Sequence, residues 1–307
     1  MKSSRLAKTA AGILALALTA LTLTGCTDQA RWQKGTGPIK IVASTNVWGD
    51  IAYQIAGDQA TVTALIDNVN QDPHSFEASA RDQLAVQDAD IVIMNGGGYD
   101  DFVEALVEAD ETPAILINAY TASGDDDTRN EHIWYSASQV KDVGNVILSA
   151  LETVDRNSTP IYESNLAEFE AQIKLLEIRT AEIASAWGGA KVFATEPVIH
   201  YLLEDTGMID ITPAEFREAI EEERDVPPYA MLEAKKVIKQ AKFIAVQLDT
   251  STAQIDKLLE DERRAAYGFG ELLPQDPDTG EYYGDYFEMM AGALDGIVDG
   301  CPPGSLC

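Results

Sequence analysis

Basic residues are scarce in this chain of 307 residues: 22 Lys and Arg stand against 51 Asp and Glu, a formal net charge of -29. A surface of that sign repels phosphate backbones, which argues against nucleic-acid binding and makes a cationic ligand or partner easier to accommodate. It also serves plain solubility, which net charge reports on more directly than fold. Catalytic signatures are missing too: the sequence holds no HExxH, no GxSxG and no P-loop, so the common metalloprotease, hydrolase and nucleotide-binding patterns are not indicated. It has no internal repeat of solenoid length and no low-complexity stretch. Only three histidines and three cysteines occur, so each can be weighed singly.

What is present begins with an export signal. Lys2, Arg5 and Lys8 precede an apolar run from Ala10 to Leu23, the charged and hydrophobic regions of a secretory signal peptide over residues 1–25. Thr19, Thr22, Thr24 and Gly25 leave the run short of the ~20 apolar residues a membrane span needs. Leu23-Thr24-Gly25-Cys26 resembles the lipobox of bacterial lipoproteins, in which cleavage precedes the cysteine and its thiol is acylated. Removal of residues 1–25 takes away three positive charges and no negative ones, which moves the net charge from -29 to -32. Residues 26–37 then read as a lipidated, polar tether on the outer face of the cell membrane. Cys301 and Cys307 lie in the tail 301–307. In an exported chain they can close a small disulfide loop or stay free.

The length exceeds what one hydrophobic core usually serves. Between residues 38 and 158, strands at 39–43, 61–66, 91–94 and 114–117 alternate with helices at 47–57, 79–88, 99–109 and 138–155, which predicts a parallel sheet covered by helices. Residues 159–188 then hold one long helix without an internal Gly, its apolar residues at helical spacing in Leu166, Phe169, Ile173, Leu176 and Ile178. From 189 to 300 the alternation resumes, with strands at 192–194, 243–248 and 267–270. The expected architecture is two α/β lobes joined by a rigid spine helix, with a ligand cleft between them.

In such sheets ligands gather beyond the carboxyl ends of the strands. His74, in Gln71-Asp72-Pro73-His74-Ser75, and His132, in Asn130-Glu131-His132-Ile133-Trp134, both fall on loops at that edge of the first lobe. Glu196 follows the strand 192–194, and Glu271 follows the strand 267–270. Each carboxylate has a plainer reading, since Glu196 stands at a helix start where the dipole favours it. Taken together, two imidazoles from one lobe and two carboxylates from the other make an N2O2 set suited to a divalent transition ion. Asp249, after the strand 243–248, competes for the fourth place, and His200, one helical turn beyond Glu196, for an assisting one.

DPHSFEASARD, VIMNGGGYDDFV, NEHIWYS, the spine helix, KVFATEPVIHYLLEDTGM and GFGELLP occur in the same order as in the metal-binding solute receptors of zinc and manganese ABC importers. The chain resembles that family over residues 38–299. The resemblance implies coordination by His74, His132, Glu196 and Glu271, a monomeric receptor, and delivery of the ion to a membrane permease driven by an ATPase. Zinc-specific members often carry a His-rich acidic loop, whereas residues 122–131 hold aspartates and no histidine before His132. A Glu in the third place moves the site toward Mn²⁺ or Fe²⁺, while affinity order still favours Zn²⁺. Two rival functions stand beside this one: a secreted metallohydrolase with Glu77 or Glu131 as general base, and a surface adhesin that needs no metal.

Overall fold

Runs of β-branched residues form parallel strands where helices can cover both faces of the sheet. The computed structural model describes residues 33–69, 71–110, 112–124, 130–222, 224–248, 253–262, 266–273 and 284–299. The signal segment 1–25, Cys26, Asp249, Cys301 and Cys307 lie outside the described residues.

The first sheet is built from β1 (Gln33–Lys34), β2 (Ile39–Thr45), β3 (Ala60–Ile66), β4 (Ile91–Met94) and β5 (Ile115–Asn118), in the spatial order β1-β3-β2-β4-β5. Four strands are parallel, and β1 joins β3 antiparallel through Gln33 opposite Thr63. Their connections carry α1 (Asn46–Ala56), α2 (Ala80–Gln87) and α3 (Phe102–Asp110). After β5 come the short α4 (Ala119–Ala122) and α5 (Ala137–Val154). The tether expected over residues 26–37 is therefore corrected at its end: Gln33 and Lys34 are an edge strand, and Lys34 pairs with the buried Asp50 of α1.

Next, α6 (Thr159–Trp187) runs for 29 residues, about 43 Å at ~1.5 Å per residue. Its buried residues are Tyr162, Leu166, Phe169, Ile173, Leu176, Thr180 and Ile183, spaced alternately four and three apart. That is an a/d stripe held over three heptads, the pattern of a helix seated along one continuous seam. Ile178, expected on this face, is 47% exposed; it falls between stripe positions.

The second sheet contains β6 (Lys191–Ala194), β7 (Ile209–Asp210), β8 (Phe243–Gln247) and β9 (Ala266–Phe269), all parallel in the order β7-β6-β8-β9. Around it lie α7 (His200–Asp205), α8 (Ala214–Glu221), α9 (Pro228–Val237), α10 (Ala253–Glu262) and α11 (Tyr286–Asp299). Both sheets place their first long strand centrally, with the next strand on one side and later strands on the other. The chain thus reverses direction at β2/β4 and at β6/β8, and such switch points open crevices beyond the strands' carboxyl ends.

The lobes are not packed independently. One apolar cluster runs from Ile41, Trp48 and Ile93 of the first lobe through Phe169 and Ile173 of α6 to Val192, Phe243 and Leu294. Last in sequence, α11 returns to the first lobe: the Tyr286 N–H donates to Asp50 Oδ2 at 3.0 Å and its hydroxyl donates to the Trp134 carbonyl at 3.0 Å. Among the described residues no helix is long and apolar enough to cross a membrane.

Because α6 serves both lobes, damage to its stripe is expected to lower the stability of the whole. Phe169, 2% exposed and 5.2 Å from the Phe287 ring, is the sharpest test. Phe169→Ala should cost about 3–5 kcal/mol in urea unfolding, whereas Leu175→Ala, at a position 60% exposed, should stay within about 0.5 kcal/mol.

Candidate metal centre

Two loops of the first lobe present their histidines by the same local device. Asp72 Oδ1 accepts the His74 backbone N–H at 3.0 Å, and the ring Nδ1 lies 3.1 Å from that oxygen. Asn130 Oδ1 accepts the His132 backbone N–H at 3.0 Å, with Nδ1 again 3.1 Å away. An Asx two residues before the histidine closes a turn and accepts a hydrogen bond from Nδ1–H, which turns Nε2 toward the cleft. Pro73 stiffens the first turn, and Ser75 Oγ adds a donor to Asp72 at 2.8 Å.

Each Nε2 faces a carboxylate. His74 Nε2 lies 3.2 Å from Glu131 Oε1, and His132 Nε2 lies 3.2 Å from Glu271 Oε1. The second pair crosses between lobes, since Glu271 follows β9. Glu271 is further held by Gln247 Nε2, donating to Oε1 at 2.8 Å, and by the Tyr99 hydroxyl, donating to Oε2 at 3.0 Å. Tyr99 also stands edge-on between the imidazoles, 5.0 Å from the His74 ring and 6.1 Å from the His132 ring.

Tyr99 and Glu131 reach the cleft because of the glycine turn after β4. Gly96, Gly97 and Gly98 all have positive φ, a conformation other residues adopt at a cost. Asp100 anchors the turn by accepting from the Asn95 and Gly96 N–H groups at 2.6 and 2.8 Å. A Cβ on Gly97 would stand 3.2 Å from Glu131 Cβ. Asn95 then fixes Glu131 by donating to its carbonyl at 2.9 Å.

Glu196 sits just past β6 and is 6% exposed. The adjacent Pro197 carbonyl accepts from Asn130 Nδ2 at 3.1 Å, so the side chain that orients His132 also touches the turn carrying Glu196. His200 pairs instead with Glu204 on its own helix, Nε2 to Oε1 at 3.5 Å. Glu77 is exposed. Among the described residues, no three His, Cys, Asp or Glu side chains converge as they stand into a set that holds an ion. The candidates are instead joined in His–carboxylate pairs.

Residues 41–300 match the family described as zinc-uptake complex component A, periplasmic (ZnuA). The chain belongs to this family. Among curated relatives, it is 28% identical over 157 residues to the manganese-binding lipoprotein MntA of Halalkalibacterium halodurans, a match spanning 50% of this chain and 52% of that protein. It is 22% identical over 311 residues to the manganese ABC transporter substrate-binding lipoprotein PsaA of Streptococcus pneumoniae, covering 94% of this chain and 97% of that one. The fold is that of the SBP FpvC of Pseudomonas aeruginosa in complex with Mn²⁺, with a TM-score of 0.72 and 21% identity over 87% of this chain and 99% of that one. A crystal structure of ZnuA aligns with a TM-score of 0.70 and 20% identity over 85% of this chain and 98% of that one. The family consists of solute-binding transport proteins rather than enzymes.

In this family member the two pairs differ in burial. The His132 side chain is 2% exposed and that of His74 is 40% exposed, so His74 marks the mouth. Burial pulls the His74 pKa down, but the hydrogen bond to Glu131, the charge of Glu271 and the bond to Asp72 outweigh it and raise the imidazole to about 9. The charged pair therefore stabilises this form fully below the unfolded value of about 6.5, and the contribution is lost as pH rises through about 9. Burial works against ionised Glu131 as well, yet the bond from His74 and the charge of His132 hold it below its usual range. Asp72, Tyr99, Asn130, Glu131 and Gln247 are the site residues that sequence reasoning missed in these roles. A signal existed for two of them, since Asp72-Pro73-His74 and Asn130-Glu131-His132 share an Asx two residues before the histidine.

NMR titration of the metal-stripped protein tests this electrostatic account. The His74 ring should remain protonated beyond pH 8 and titrate near 9. In Glu131→Gln it should move down toward ~6.5; an unchanged midpoint would show that Glu131 does not hold the proton there.

Proposed function

We propose that this chain is the extracytoplasmic solute-binding lipoprotein of an ABC importer. It captures Mn²⁺ or Zn²⁺ between its lobes and delivers the ion to a membrane permease powered by a cytoplasmic ATPase. His74, His132, Glu196 and Glu271 are the proposed ligands, Cys26 is the proposed lipid anchor, and the receptor acts as a monomer. Fe²⁺ fits the same donor set, and a Streptococcus pyogenes relative is named for iron.

The observation that carries this reading is the spacing of the two pairs. Metal–ligand bonds of about 2.1 Å set adjacent donors roughly 3.0 Å apart at right angles and roughly 3.4 Å apart at a tetrahedral angle. Both Nε2 to Oε1 separations are 3.2 Å, a spacing that neighbouring ligands of one ion also take. Four or more protein donors close the coordination shell, which suits transport; a catalytic metal needs an open position for water. Of the two bases weighed for the hydrolase reading, Glu131 is engaged with His74 and Glu77 stands exposed to solvent.

Metal analysis and thermal unfolding of the purified protein test the proposal. At an ion concentration about 100 times Kd, binding should stabilise the protein by roughly 2.7 kcal/mol and raise Tm by roughly 5–10 °C. His74→Ala and Glu196→Ala should each lose bound metal and most of that shift. Unchanged metal content in both variants would sink the ligand assignment, and no response of the unaltered protein to Mn²⁺ or Zn²⁺ would favour an adhesin.

A further inference from the structure

We propose that Glu131 is a fifth metal donor and the residue that sets this receptor's preference among divalent ions; the inference rests on the metal-receptor reading above. Two observations carry it. Glu131 Oε1 stands 3.2 Å from His74 Nε2, the same separation as Glu271 Oε1 from His132 Nε2, and that spacing suits neighbouring ligands of one ion. The carboxylate is also committed to the cleft. Glu131 is 9% exposed, its carbonyl is fixed by Asn95, and a side chain at Gly97 would crowd its Cβ.

With Glu131 as a donor, the shell becomes two nitrogens with oxygens from three carboxylates. Zn²⁺ favours four donors and tolerates nitrogen and sulfur well, whereas Mn²⁺ takes more ligands and prefers oxygen. The fifth, anionic oxygen therefore supports Mn²⁺ more than Zn²⁺.

The test is competition of Mn²⁺ and Zn²⁺ against a chelating dye for the full exported chain and its Glu131→Gln and Glu131→Asp variants, with a crystal structure of the Mn²⁺-loaded parent. Glu131→Gln should weaken Mn²⁺ by about 10- to 100-fold and Zn²⁺ by clearly less, and Glu131→Asp, which keeps the charge, should recover part of the Mn²⁺ affinity. A Glu131 oxygen should lie within about 2.3 Å of the ion. Mn²⁺ affinity that is unchanged or tighter in Glu131→Gln would mean that the carboxylate only competes for His74, and would overturn the inference. Equal losses for both ions would also overturn it, reducing Glu131 to a general charge effect. Failure of the parent protein to bind either ion is a separate outcome, which overturns the receptor reading itself.

Discussion

A carboxylate sealed between two protein lobes must be paired, because burying it unpaired costs several times what one hydrogen bond returns. Glu271 is 7% exposed, and its donors come from both sides: His132 and Tyr99 from the first lobe, Gln247 from the second. This one group therefore ties the carboxyl edge of β9 to the turns after β4 and β5. Nearby contacts repeat the tie without charge. Tyr135 donates to the Gly270 carbonyl at 2.7 Å, the Leu273 N–H donates to Asn46 Oδ1 at 3.0 Å, and Tyr201 donates to the Asn130 carbonyl at 2.7 Å. The lobes meet at the chemistry, while α6 and α11 join them away from it.

That arrangement links orientation to assembly. Asn130 serves His132 through Oδ1 and Pro197 through Nδ2, so the imidazole is aimed by a side chain that also reads the position of the second lobe. Asp72 serves His74 without any such cross-lobe bond among those described, and His74 is the more exposed of the two. The site thus has an inner pair, fixed only when the lobes are together, and an outer pair complete within the first lobe. In the receptor proposed above, a cation entering from solvent would meet the more exposed outer pair first.

Much of this was legible in the chain. The alternation of short apolar runs with helical segments gave away both parallel sheets, and the placement of His74, His132, Glu196 and Glu271 after strands followed from it. The family resemblance was readable from DPHSFEASARD and NEHIWYS. Two-residue strands were not, since Gln33–Lys34 and Ile209–Asp210 are too short for any periodicity to register. Ile178 was misplaced because an apolar residue one or two positions off a heptad stripe looks like part of it until the neighbour is known. Glu131 and Tyr99 escaped for a different reason: their roles depend on a turn of three glycines and on partners 57 and 172 residues distant in sequence.

The acidic balance of the chain does not create the site. Charges on the outer surface are screened beyond about 10 Å at 0.1 M salt, so they raise the local concentration of cations without choosing among them. Inside the cleft the logic is different, because Glu131, Glu196 and Glu271 are each less than a tenth exposed and charges there are screened poorly. Glu131 is held there by His74, and Glu271 by His132, Tyr99 and Gln247. In the proposed receptor a divalent transition ion would meet these carboxylates and also engage Nε2 of both histidines, which an alkaline-earth ion does poorly. On that reading the buried carboxylates would supply the demand for charge, and the two imidazoles would restrict which ion can meet it.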